Sequence, residues 1–596
     1  MAECMKTPIM TQPKRLFDFA YYALEKHPRP DAINTKIGGE WQSLSTQDFI
    51  TKSEQLALGL IELGVQPGDK ISILSTTNRF EWNVCDQAIL SVGAIDVPAY
   101  PNISSEDYAF IFNDASVKHV FLSDADLFAK VSEVKDRVSS LENIYGFVDI
   151  DGCSNWDVVF AMADEKHRDE LNRRMAAVDE MDLATLIYTS GTTGVPKGVM
   201  LSHRNMSSNA YSAAKRLPVD NQAKGLSFLP LCHSYERVLV YVYMTAGVGV
   251  YYAESLETIG DNMREIHPHV FSAVPRLLEK VFDKIMAKGK GLTGIKKAMF
   301  FWAVGLAKVY EHEGKGVFYN FQLKLARKLI FSKWKEALGG EVHTIASGAA
   351  ALNPNLARIF AGAGINVQEG YGLTETSPVL TVNLPTGAGH KLGTVGTAIE
   401  NVELKIAADG EILAKGPNIM MGYYNRPDLT AEVMTADGWF CTGDIGEIDS
   451  MGYLRITDRK KEIFKTGGGK YIAPQHMENI YKESSFVEQC MVAGEGRKHP
   501  VLFVQPNFAY LEDWCGLHDI AWTNASDIMK DQRIIDRIWK EIDGANANFG
   551  SWERVKKVYL CDSLWTVEDG QLTPTMKLRR KPILAMYADG FEAMYA

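Results

Sequence analysis

A polar, glycine-rich stretch offers the clearest chemistry in the 596-residue sequence: "YTSGTTGVPKGV", from Tyr188 to Val199. It follows the apolar run "ATLI", which is typical of a strand. Gly191 and Gly194 let the backbone adopt unusual dihedral angles and approach a ligand closely. Successive N–H groups with nearby hydroxyls form a nest for an anion, and Lys197 adds positive charge. These hydroxyls belong to Thr189, Ser190, Thr192 and Thr193. The stretch predicts a phosphate-binding loop, with a polar surface turn as the alternative.

Two familiar nucleotide-binding motifs are disfavoured. The Walker A motif requires four residues between its first glycine and a Gly-Lys-Ser/Thr sequence, and this stretch lacks that spacing. The segment "GKGLTG" (289–294) matches the GxGxxG pattern, but it follows a helical pattern and not a strand. The sequence therefore argues against a P-loop ATPase or kinase and against a Rossmann dinucleotide site.

Six further motifs follow the glycine-rich stretch in order. They are "LPLCHSYER" (229–237), "ASGAA" (346–350), "GYGLTETSP" (370–378), "GWFCTGD" (438–444), "DRKKEIFKTGGGKYIAP" (458–474) and "LTPTMKLRR" (572–580). Together these motifs resemble the adenylate-forming superfamily, which comprises acyl-CoA synthetases, peptide-synthetase adenylation domains and luciferases. The resemblance covers essentially the whole chain. It implies that a carboxylate is joined to AMP from ATP with release of pyrophosphate, and that the acyl group then passes to a thiol.

The resemblance assigns the N-terminal motifs to ATP and Mg²⁺. The glycine-rich loop holds the β- and γ-phosphates, with Lys197 as a point charge. Tyr371 offers a ring face to adenine, and Thr374 hydrogen-bonds the α-phosphate. Glu375 is a hard oxygen ligand for Mg²⁺ bound through the phosphates, and Thr189 is its companion ligand. The other nucleotide-binding positions are Gly348, Ala349, Ala350, Glu369, Gly370 and Gly372.

The same resemblance places His233 near the substrate carboxylate, although a histidine in an apolar stretch is also typical of a hydrogen-bonded core residue. Glu375 has the alternative of an ordinary surface carboxylate. "ASGAA" has little side chain, which suits a wall against adenine and the acyl chain, and its alternative is a tightly packed strand.

The C-terminal motifs receive roles in both steps from the resemblance. Asp444 accepts hydrogen bonds from the ribose hydroxyls, and Arg459 contacts the same sugar. The cation of Lys577 bridges the attacking carboxylate and the α-phosphate. Lys461 is the hinge for rotation of the C-terminal domain. In the CoA step, the loop glycines line the tunnel of the pantetheine arm, where a Cβ at Gly468 would obstruct it. These glycines are Gly467, Gly468 and Gly469.

These motifs must be positioned by alternating strands and helices. Ser45 followed by Asp48 predicts a capped helix up to about Leu63, and "KISILS", "AIDVPAYP" and "VKHVFLSD" read as strands between helices. The alternation predicts an α/β fold: a large N-terminal domain of doubly wound sheets with a β-rich subdomain, then a small mobile α+β domain. The predicted boundaries are 1–457 for the ATP- and acyl-binding domain and 458–596 for the C-terminal domain.

Composition limits the partners and the compartment. Lys plus Arg total 63 and Asp plus Glu total 74, a net charge of −11, which predicts no nucleic-acid partner. Eight scattered cysteines without a CxxC pair indicate a reducing compartment. The N-terminus lacks the features of a signal peptide, so we expect a cytoplasmic protein, either free or peripheral at the inner face of the membrane. Oligomeric state is left open.

Three features favour a long-chain fatty acid as the substrate. "LPLCHSYER" resembles the HxxER form of long-chain synthetases, and Thr-Met stands before Lys577 where many members have Ser-Gly. The segment Gly294–Gly314 has flanking lysines and a bulky apolar middle, which predicts either peripheral membrane contact or a packed core helix. The alternatives are a fatty acyl-AMP ligase that serves a carrier protein, and a non-catalytic nucleotide or fatty-acid sensor. No insertion typical of the former is seen, which favours CoA. The acyl chain length stays open.

Overall fold

The computed structural model describes residues 11–190, 196–255, 257–385, 389–567, 569–573 and 576–596. The chain divides into two compact units. The first comprises the described part of Met1–Lys405 together with Leu413–Cys441 and Ile448–Arg455. The second comprises Ile406–Ile412, Thr442–Glu447 and the described part of Ile456–Ala596.

The strands in the described residues are β1 Ile33–Ile37, β2 Glu40–Leu44, β3 Lys70–Leu74, β4 Ile95–Asp96, β5 Val117–Leu122, β6 Asn143–Gly146, β7 Ser154–Asn155, β8 Leu183–Ser190, β9 Pro196–Ser202, β10 Lys224–Ser227, β11 Gly249–Tyr252, β12 Val270–Ala273, β13 Thr344–Ser347, β14 Val367–Gly372, β15 Val379–Val382, β16 Thr397–Ala398, β17 Glu403–Ile406, β18 Glu411–Lys415, β19 Gly422–Tyr423, β20 Phe440–Ile448, β21 Leu454–Arg459, β22 Phe464–Lys465, β23 Tyr471–Ile472, β24 Val487–Ala493, β25 Val501–Pro506 and β26 Val558–Leu560.

The α-helices in the same residues are α1 Asp18–Lys26, α2 Thr46–Glu62, α3 Phe80–Ser91, α4 Ser105–Ala115, α5 Ala125–Val134, α6 Asp157–Ala161, α7 Arg168–Ala177, α8 His203–Ala214, α9 Ser234–Ala246, α10 Ile259–Ile266, α11 Pro275–Lys290, α12 Gly294–Lys308, α13 Val317–Ala326, α14 Ser332–Ala337, α15 Pro354–Ala363, α16 Pro427–Val433, α17 Pro474–Tyr481, α18 Phe508–Leu517, α19 Ala525–Ile528, α20 Gln532–Asn546, α21 Arg580–Met586 and α22 Ala588–Ala593. Short 3₁₀-helices lie at Lys135–Arg137, Glu165–His167 and Thr374–Thr376, and a π-helix at Arg327–Phe331.

Two large sheets lie in the first unit. One has the order β16-β15-β14-β13-β12-β10-β11-β1-β2, and the other has the order β19-β9-β8-β4-β3-β5-β6-β7. Their interiors are parallel, whereas pairs toward the edges, such as β8 with β9 and β14 with β15, are antiparallel. The predicted α/β fold class is confirmed. A four-stranded sheet of order β17-β18-β20-β21 accounts for the β-rich passage near "NVELKIAADGEILAKG".

Local sequence signals explain where the elements begin and end. The Ser45 side chain accepts a hydrogen bond from the backbone of Asp48, and this capping box starts α2 as predicted. The helix buries Phe49, Leu56 and Leu60 at helical spacing in a core shared with α3 and α9. Gly64, with φ of +94°, follows the end of the helix.

The longest uncharged apolar run of the sequence, Val238 to Ala253, is short of the roughly 20 residues that a spanning helix needs, and it predicts a buried helix and strand. The structure confirms this prediction with α9 and β11. Nearly all side chains of this run lie in the core of the first unit, including Tyr243 and Tyr252. None of the helices in the described ranges is both long enough and apolar enough to cross a membrane. Within the same ranges, the cysteines are free thiols, and most of them are buried.

The second unit is built around the sheet β24-β25-β26. β24 and β25 are antiparallel, whereas β25 and β26 are parallel. One face of this sheet packs against α17 and α20, with Ile534, Ile538 and Ile542 of α20 fully buried. Helices α21 and α22 contribute to a separate apolar cluster around Phe503. This α+β arrangement positions the C-terminal motifs.

Candidate active site

The predicted phosphate loop is flanked by two paired strands. β8 leads into it and β9 leads out, and the backbone of Thr189 stands opposite Lys197 in their antiparallel ladder. Ser190 likewise pairs with Pro196 through the backbone. The loop glycines and threonines predicted to hold phosphate, Gly191, Thr192, Thr193 and Gly194, lie outside the described residues. Their role therefore stays a prediction, while the strand ends that carry the loop are defined.

Lys197 and Glu375 are brought to the same place by a tyrosine that the motifs did not indicate. The Nζ of Lys197 lies 5.0 Å from the centroid of the Tyr423 ring. The Tyr423 hydroxyl donates a hydrogen bond of 2.8 Å to Oε1 of Glu375. Tyr423 is held in position by strand β19, where it pairs with Val199 of β9. Tyr423 thus contacts a cation through its ring and a carboxylate through its hydroxyl group. The Lys197 cation suits a phosphate, and the Glu375 carboxylate suits a divalent cation.

Thr374 contacts the first residue of α9, next to His233. His233 caps the helix, because its Nδ1 accepts a hydrogen bond of 3.1 Å from the backbone N–H of Tyr235. A neutral His233 ring that accepts at Nδ1 carries its proton on Nε2, which is then the donor. The next residue, Ser234, places its Oγ 3.3 Å from Oγ1 of Thr374. The positions predicted for the carboxylate and the α-phosphate are thus neighbours.

Two buried charges hold α9 in place. The Glu236 carboxylate accepts hydrogen bonds from Ser227, at 2.6 Å, and from Ser272. Burial raises the pKa of Glu236 to about 7. Glu236 and Arg237 are the last two residues of the motif "LPLCHSYER". The sequence indicates the motif but not the structural role of these two side chains.

Arg237 makes the second anchor. Its guanidinium lies 3.0 Å from Oδ2 of Asp96 and also contacts Asp86, and it donates to Thr185 at 2.8 Å. All four side chains are buried. A buried charge is tolerated only with such partners, so this network fixes the start of α9, and with it His233, relative to β8 and β4.

A buried carboxyl group lies on β14, beside the strand that leads into the predicted adenine wall. Glu369, in β14, is 5% exposed, and its Oε1 has no hydrogen-bond partner within the described part of the chain. Burial raises the pKa of Glu369 to about 8, so the group is mostly protonated at neutral pH. A protonated carboxyl group is both donor and acceptor, which matches the amino group and ring nitrogen on the adenine edge. The residues therefore fit a nucleotide.

The glycines around this wall serve different purposes. A Cβ on Gly348 would lie 3.2 Å from the Tyr235 ring, while Ala349 adopts a φ of +67°. A Cβ on Gly372 would lie 1.6 Å from the carbonyl oxygen of Pro378, so packing alone requires glycine there. Tyr371, between two glycines, pairs with Thr381 across the β14–β15 ladder. Ala350 and Gly370 lie on the same segments, after β13 and within β14.

The predicted ribose site is assembled in the second unit. Oδ1 of Asp444, on β20, lies 3.3 Å from Nε of Arg459 at the end of β21. The turn around Asp444 is secured by Glu411, which accepts a hydrogen bond from the Gly443 N–H at 2.9 Å. Lys460 reinforces it with contacts of 2.6 Å to Glu411 and 2.7 Å to Asp409. Neither of these two acidic supports lies in one of the motifs of the sequence.

The predicted hinge and glycine loop are adjacent. Lys461 lies exposed in the turn after β21. The loop residues Gly467, Gly468 and Gly469 close the hairpin of β22 and β23. A Cβ on Gly467 would lie 2.9 Å from the Gly496 carbonyl oxygen, whereas a Cβ on Gly468 would have nothing nearer than 3.9 Å. The packing of this unit therefore requires glycine at 467 but not at 468.

Lys577 is exposed in a tight turn. Its N–H donates to the Thr573 hydroxyl at 3.1 Å, and its carbonyl accepts from the Thr573 N–H at 2.8 Å. Met576 precedes it with a φ of +61°, the left-handed region that glycine adopts easily. A left-handed backbone at this position suits the glycine that many members of the resembled family carry there.

Arg580 ties the Lys577 turn to the hinge segment. It forms a paired interaction of 2.8 and 2.9 Å with the buried carboxylate of Glu478 and lies 3.1 Å from Glu462, next to Lys461. It also donates to the carbonyl oxygen of Val492. Asp458, at the start of this segment, is buried, and desolvation raises its pKa to about 7.

Within the described residues, no group of three or more His, Cys, Asp and Glu side chains is arranged to hold a metal. Mg²⁺ typically needs only one or two protein oxygen ligands when substrate phosphates supply others. Glu375 fits that demand. Thr189 is the second-last residue of β8, two residues before the undescribed loop residues.

Comparison with known proteins agrees with this arrangement. Residues 21–424 match the family described as AMP-binding enzyme, and residues 462–596 match the AMP-binding enzyme C-terminal domain. The chain belongs to the AMP-binding enzyme family. Among its relatives, a long-chain-fatty-acid–CoA ligase of Mycobacterium tuberculosis, FadD15, is 32% identical over 94% of this chain and 93% of its own length. The peroxisomal long chain acyl-CoA synthetase 7 of Arabidopsis thaliana is 31% identical over 98% of this chain and 86% of its own.

Solved structures support the AMP-binding fold. The adenylation domain of a carboxylate reductase from Mycobacterium chelonae matches with a TM-score of 0.75 and 21% identity, covering 99% of this chain and 92% of that one. The O-succinylbenzoate coenzyme A synthetase of Bacillus subtilis, in complex with ATP and magnesium, matches with a TM-score of 0.67 and 20% identity, covering 94% and 98%.

Proposed function

We propose that this AMP-binding enzyme is a long-chain fatty acid–CoA ligase, an ATP-dependent, AMP-forming acid–thiol ligase. The observation that carries the proposal is the near full-length similarity to proteins named long-chain fatty acid–CoA ligases. The candidate residues for both half-reactions are also present along the chain. Fatty acid, ATP and CoA are the proposed substrates, and AMP, pyrophosphate and acyl-CoA the products.

In the first half-reaction, a carboxylate oxygen attacks the α-phosphorus, and the bond to pyrophosphate breaks. Lys197 and the glycine-rich loop would hold the β- and γ-phosphates, and Lys577 would neutralise charge that accumulates on the α-phosphate and carboxylate. Thr374 and His233 would orient these two groups. Glu375 and Thr189 would hold Mg²⁺, which supplies neutralisation of the phosphate charge when bound. Tyr423, which contacts both Lys197 and Glu375, would position them.

The nucleoside would be bound by two sets of groups. Tyr371 would stack on adenine, while the Glu369 carboxyl would read its hydrogen-bonding edge against the wall formed by residues 348–350. Asp444 would accept hydrogen bonds from the ribose hydroxyls, with Arg459 on the same sugar. The buried Glu369 oxygen without a partner in the described chain supports the nucleotide most directly.

In the second half-reaction, the CoA thiolate attacks the acyl carbon of acyl-AMP, and AMP leaves with the electron pair of the broken C–O bond. We infer a mobile C-terminal domain, 458–596, that follows the N-terminal domain, 1–457, with Lys461 as the hinge. Gly468 would pass the pantetheine arm, because glycine at this position has no packing reason in its own unit. A carrier-protein acceptor and a non-catalytic binding protein are the alternatives.

An assay of purified protein with ATP, CoA and fatty acids from acetate to oleate tests the proposal. We expect pyrophosphate and acyl-CoA in equal amounts, with rates rising toward long chains. Pyrophosphate and acyl-AMP without acyl-CoA would indicate a carrier-protein ligase. ATP binding without turnover of any acid would indicate a sensor and contradict the proposed activity.

For location, we propose a reducing compartment such as the cytoplasm, with contact at the inner face of the membrane. The support is the absence of disulfides among the described cysteines and the access to lipid substrate that a long-chain fatty acid demands.

A further inference from the structure

A row of large apolar side chains is exposed on one helix of the first unit. Helix α13, the π-helix after it and α14 run continuously from Val317 to Ala337. On it, Phe318 is 74% exposed, Phe321 65%, and Leu325 and Leu329 41% each. Their spacing of three, four and four residues places them on one face. We refer to these four residues as the apolar stripe.

The apolar stripe is not the face of the helix that packs into the core. The same continuous helix uses Leu323, Ala326 and Phe331 to pack into the core, where each is almost fully buried. A surface helix normally has one apolar face toward the core and a polar face toward water. This helix is apolar on both sides, and exposed apolar patches commonly mark a contact with a membrane or another protein.

Charge distinguishes between these two kinds of contact. The segment 315–335, which contains the stripe, has six Lys and Arg and no Asp or Glu. The wider segment 275–335 has fourteen Lys and Arg against four Asp and Glu, a net charge of +10. Because the whole chain carries −11, the remaining residues carry −21. Positive charge is therefore concentrated around the stripe in an otherwise acidic protein.

The preceding helix, α12, packs against the helix that contains the apolar stripe. For Gly294–Gly314 the sequence predicts either peripheral membrane contact or a packed core helix, and α12 buries Phe300, Ala303 and Val304 in the core. It packs against α13, where the Tyr319 hydroxyl donates to the Leu306 carbonyl at 2.8 Å.

We propose that the apolar stripe docks the protein on an anionic lipid bilayer, with the helix lying in the interface. Phenylalanine and leucine on one face, with lysine beside them and no acidic residue, are the features of helices that bind in this way. From Phe318 to Leu329 the helix is about 17 Å long, too short to span a bilayer. A second copy is disfavoured as the occupant because pairing two stripes would bring two basic segments together. The proposal rests on the membrane contact proposed above and names the surface that makes it, and it does not depend on the ligase reaction.

Flotation of the full-length protein with lipid vesicles tests the docking. We expect binding to vesicles of phosphatidylcholine with phosphatidylglycerol, and weaker binding to phosphatidylcholine alone. Raising the ionic strength from about 0.1 M to about 1 M, which shortens the Debye length from about 10 Å to about 3 Å, should weaken the binding to the mixed vesicles.

Two double variants separate the apolar from the electrostatic contribution. Phe318→Ser with Phe321→Ser should lower the vesicle partition coefficient at least about tenfold, since binding scales with buried apolar area. Lys324→Glu with Lys328→Glu should lower it at least about fivefold for each lysine on anionic vesicles only. Leu517→Ser, at an 81% exposed leucine in the second unit, is the matched control and should bind as the unaltered protein does.

Two further measurements show whether a loss of vesicle binding comes from misfolding or from a change in oligomeric state. Acyl-CoA formation from detergent-dispersed fatty acid should be the same in the Phe318/Phe321 variant as in the control, showing that the variant folds. The proposal would be overturned if the unaltered protein did not float, or if the variant floated as well as the Leu517 control. It would also be overturned if sedimentation showed a dimer that this variant alone dissociates, because a second copy would then cover the stripe.

Discussion

The side chains proposed to act on the reacting groups are held by neighbours that do not themselves react. Tyr423 sets Lys197 and Glu375 around one ring, and Arg237 holds the helix that His233 begins. Lys577, by contrast, is exposed in its turn. We therefore expect substitutions to divide into those that remove a reacting group and those that displace one.

Replacement of Lys577 tests the first class. Lys577→Ala should reduce pyrophosphate release at least about hundredfold, because charge at the α-phosphate loses its cation. Thioester formation from supplied acyl-AMP should be largely spared. Lys581→Ala, at an exposed lysine four residues later, serves as the control. Equal loss of both half-reactions in Lys577→Ala would contradict the assigned role.

Glu369 allows a test through pH. A solvated glutamic acid loses its proton near pH 4.3, whereas burial keeps Glu369 protonated to about pH 8. Between these values the folded state binds more protons than the unfolded state, so the free energy of unfolding falls as pH rises from about 4 to about 8. Glu369→Gln should remove this part of the dependence and be more stable than the unaltered protein at pH 8, by a few kcal/mol at order of magnitude.

Calorimetric unfolding without nucleotide, at pH 5 and pH 8, measures that effect. Glu403→Gln, at an exposed glutamate, should keep the pH dependence of the unaltered protein. Parallel curves for Glu369→Gln and Glu403→Gln would show that Glu369 is ionised in the folded protein, against its burial.

At the scale of elements, one arginine joins the Lys577 turn to the hinge segment. Arg580→Gln leaves Glu478, which is 3% exposed, and Glu462 without their cation. Breaking a buried ion pair on one side costs about 3–5 kcal/mol. We expect limited proteolysis to cut the second unit faster and pyrophosphate release to fall. Arg579→Gln, at the exposed neighbour, is the control; equal proteolysis of both variants would argue against a structural role for Arg580.

A substitution in the turn before Lys577 should stabilise the protein, in contrast to the substitution of Arg580. Met576→Gly removes the unfavourable side chain from a left-handed backbone and should stabilise the protein by up to about 1 kcal/mol. Met586→Gly, at the exposed last residue of α21, should instead destabilise it by less than about 1 kcal/mol. Thermal melting compares the two, and a loss of stability in Met576→Gly would contradict the strain at this turn.

How far the sequence could be read differs between elements. The capping box at Ser45 and the run of α9 into β11 are decided by neighbouring residues, so local patterns predict them correctly. The apolar stripe is different. A periodic run of Phe and Leu predicts that a helix has an apolar face, but it does not predict whether that face packs into the core or lies in solvent. Tyr423 and Glu411 were missed for a related reason: their roles arise from residues distant in sequence.

At the scale of the whole molecule, the proposed hinge predicts that the two half-reactions separate. Lys461→Pro fixes one backbone angle in the exposed turn after β21 and should harm one half-reaction more than the other. Lys461→Ala keeps the backbone free and should retain both. Single-turnover measurement of acyl-AMP formation and of its consumption by CoA distinguishes them. Equal loss in both half-reactions would point to general unfolding and not to a hinge.

The buried thiols have a consequence for following how each unit opens. Cys85 and Cys232 lie in the first unit, and Cys490 and Cys561 in the second, all buried and with pKa values raised by burial. A buried thiol reacts with an alkylating agent only when its surroundings transiently unfold. Peptide mass spectrometry of alkylated protein would therefore report two opening rates from one sample, without an introduced label. The effect of a bound nucleotide on each unit could then be measured separately.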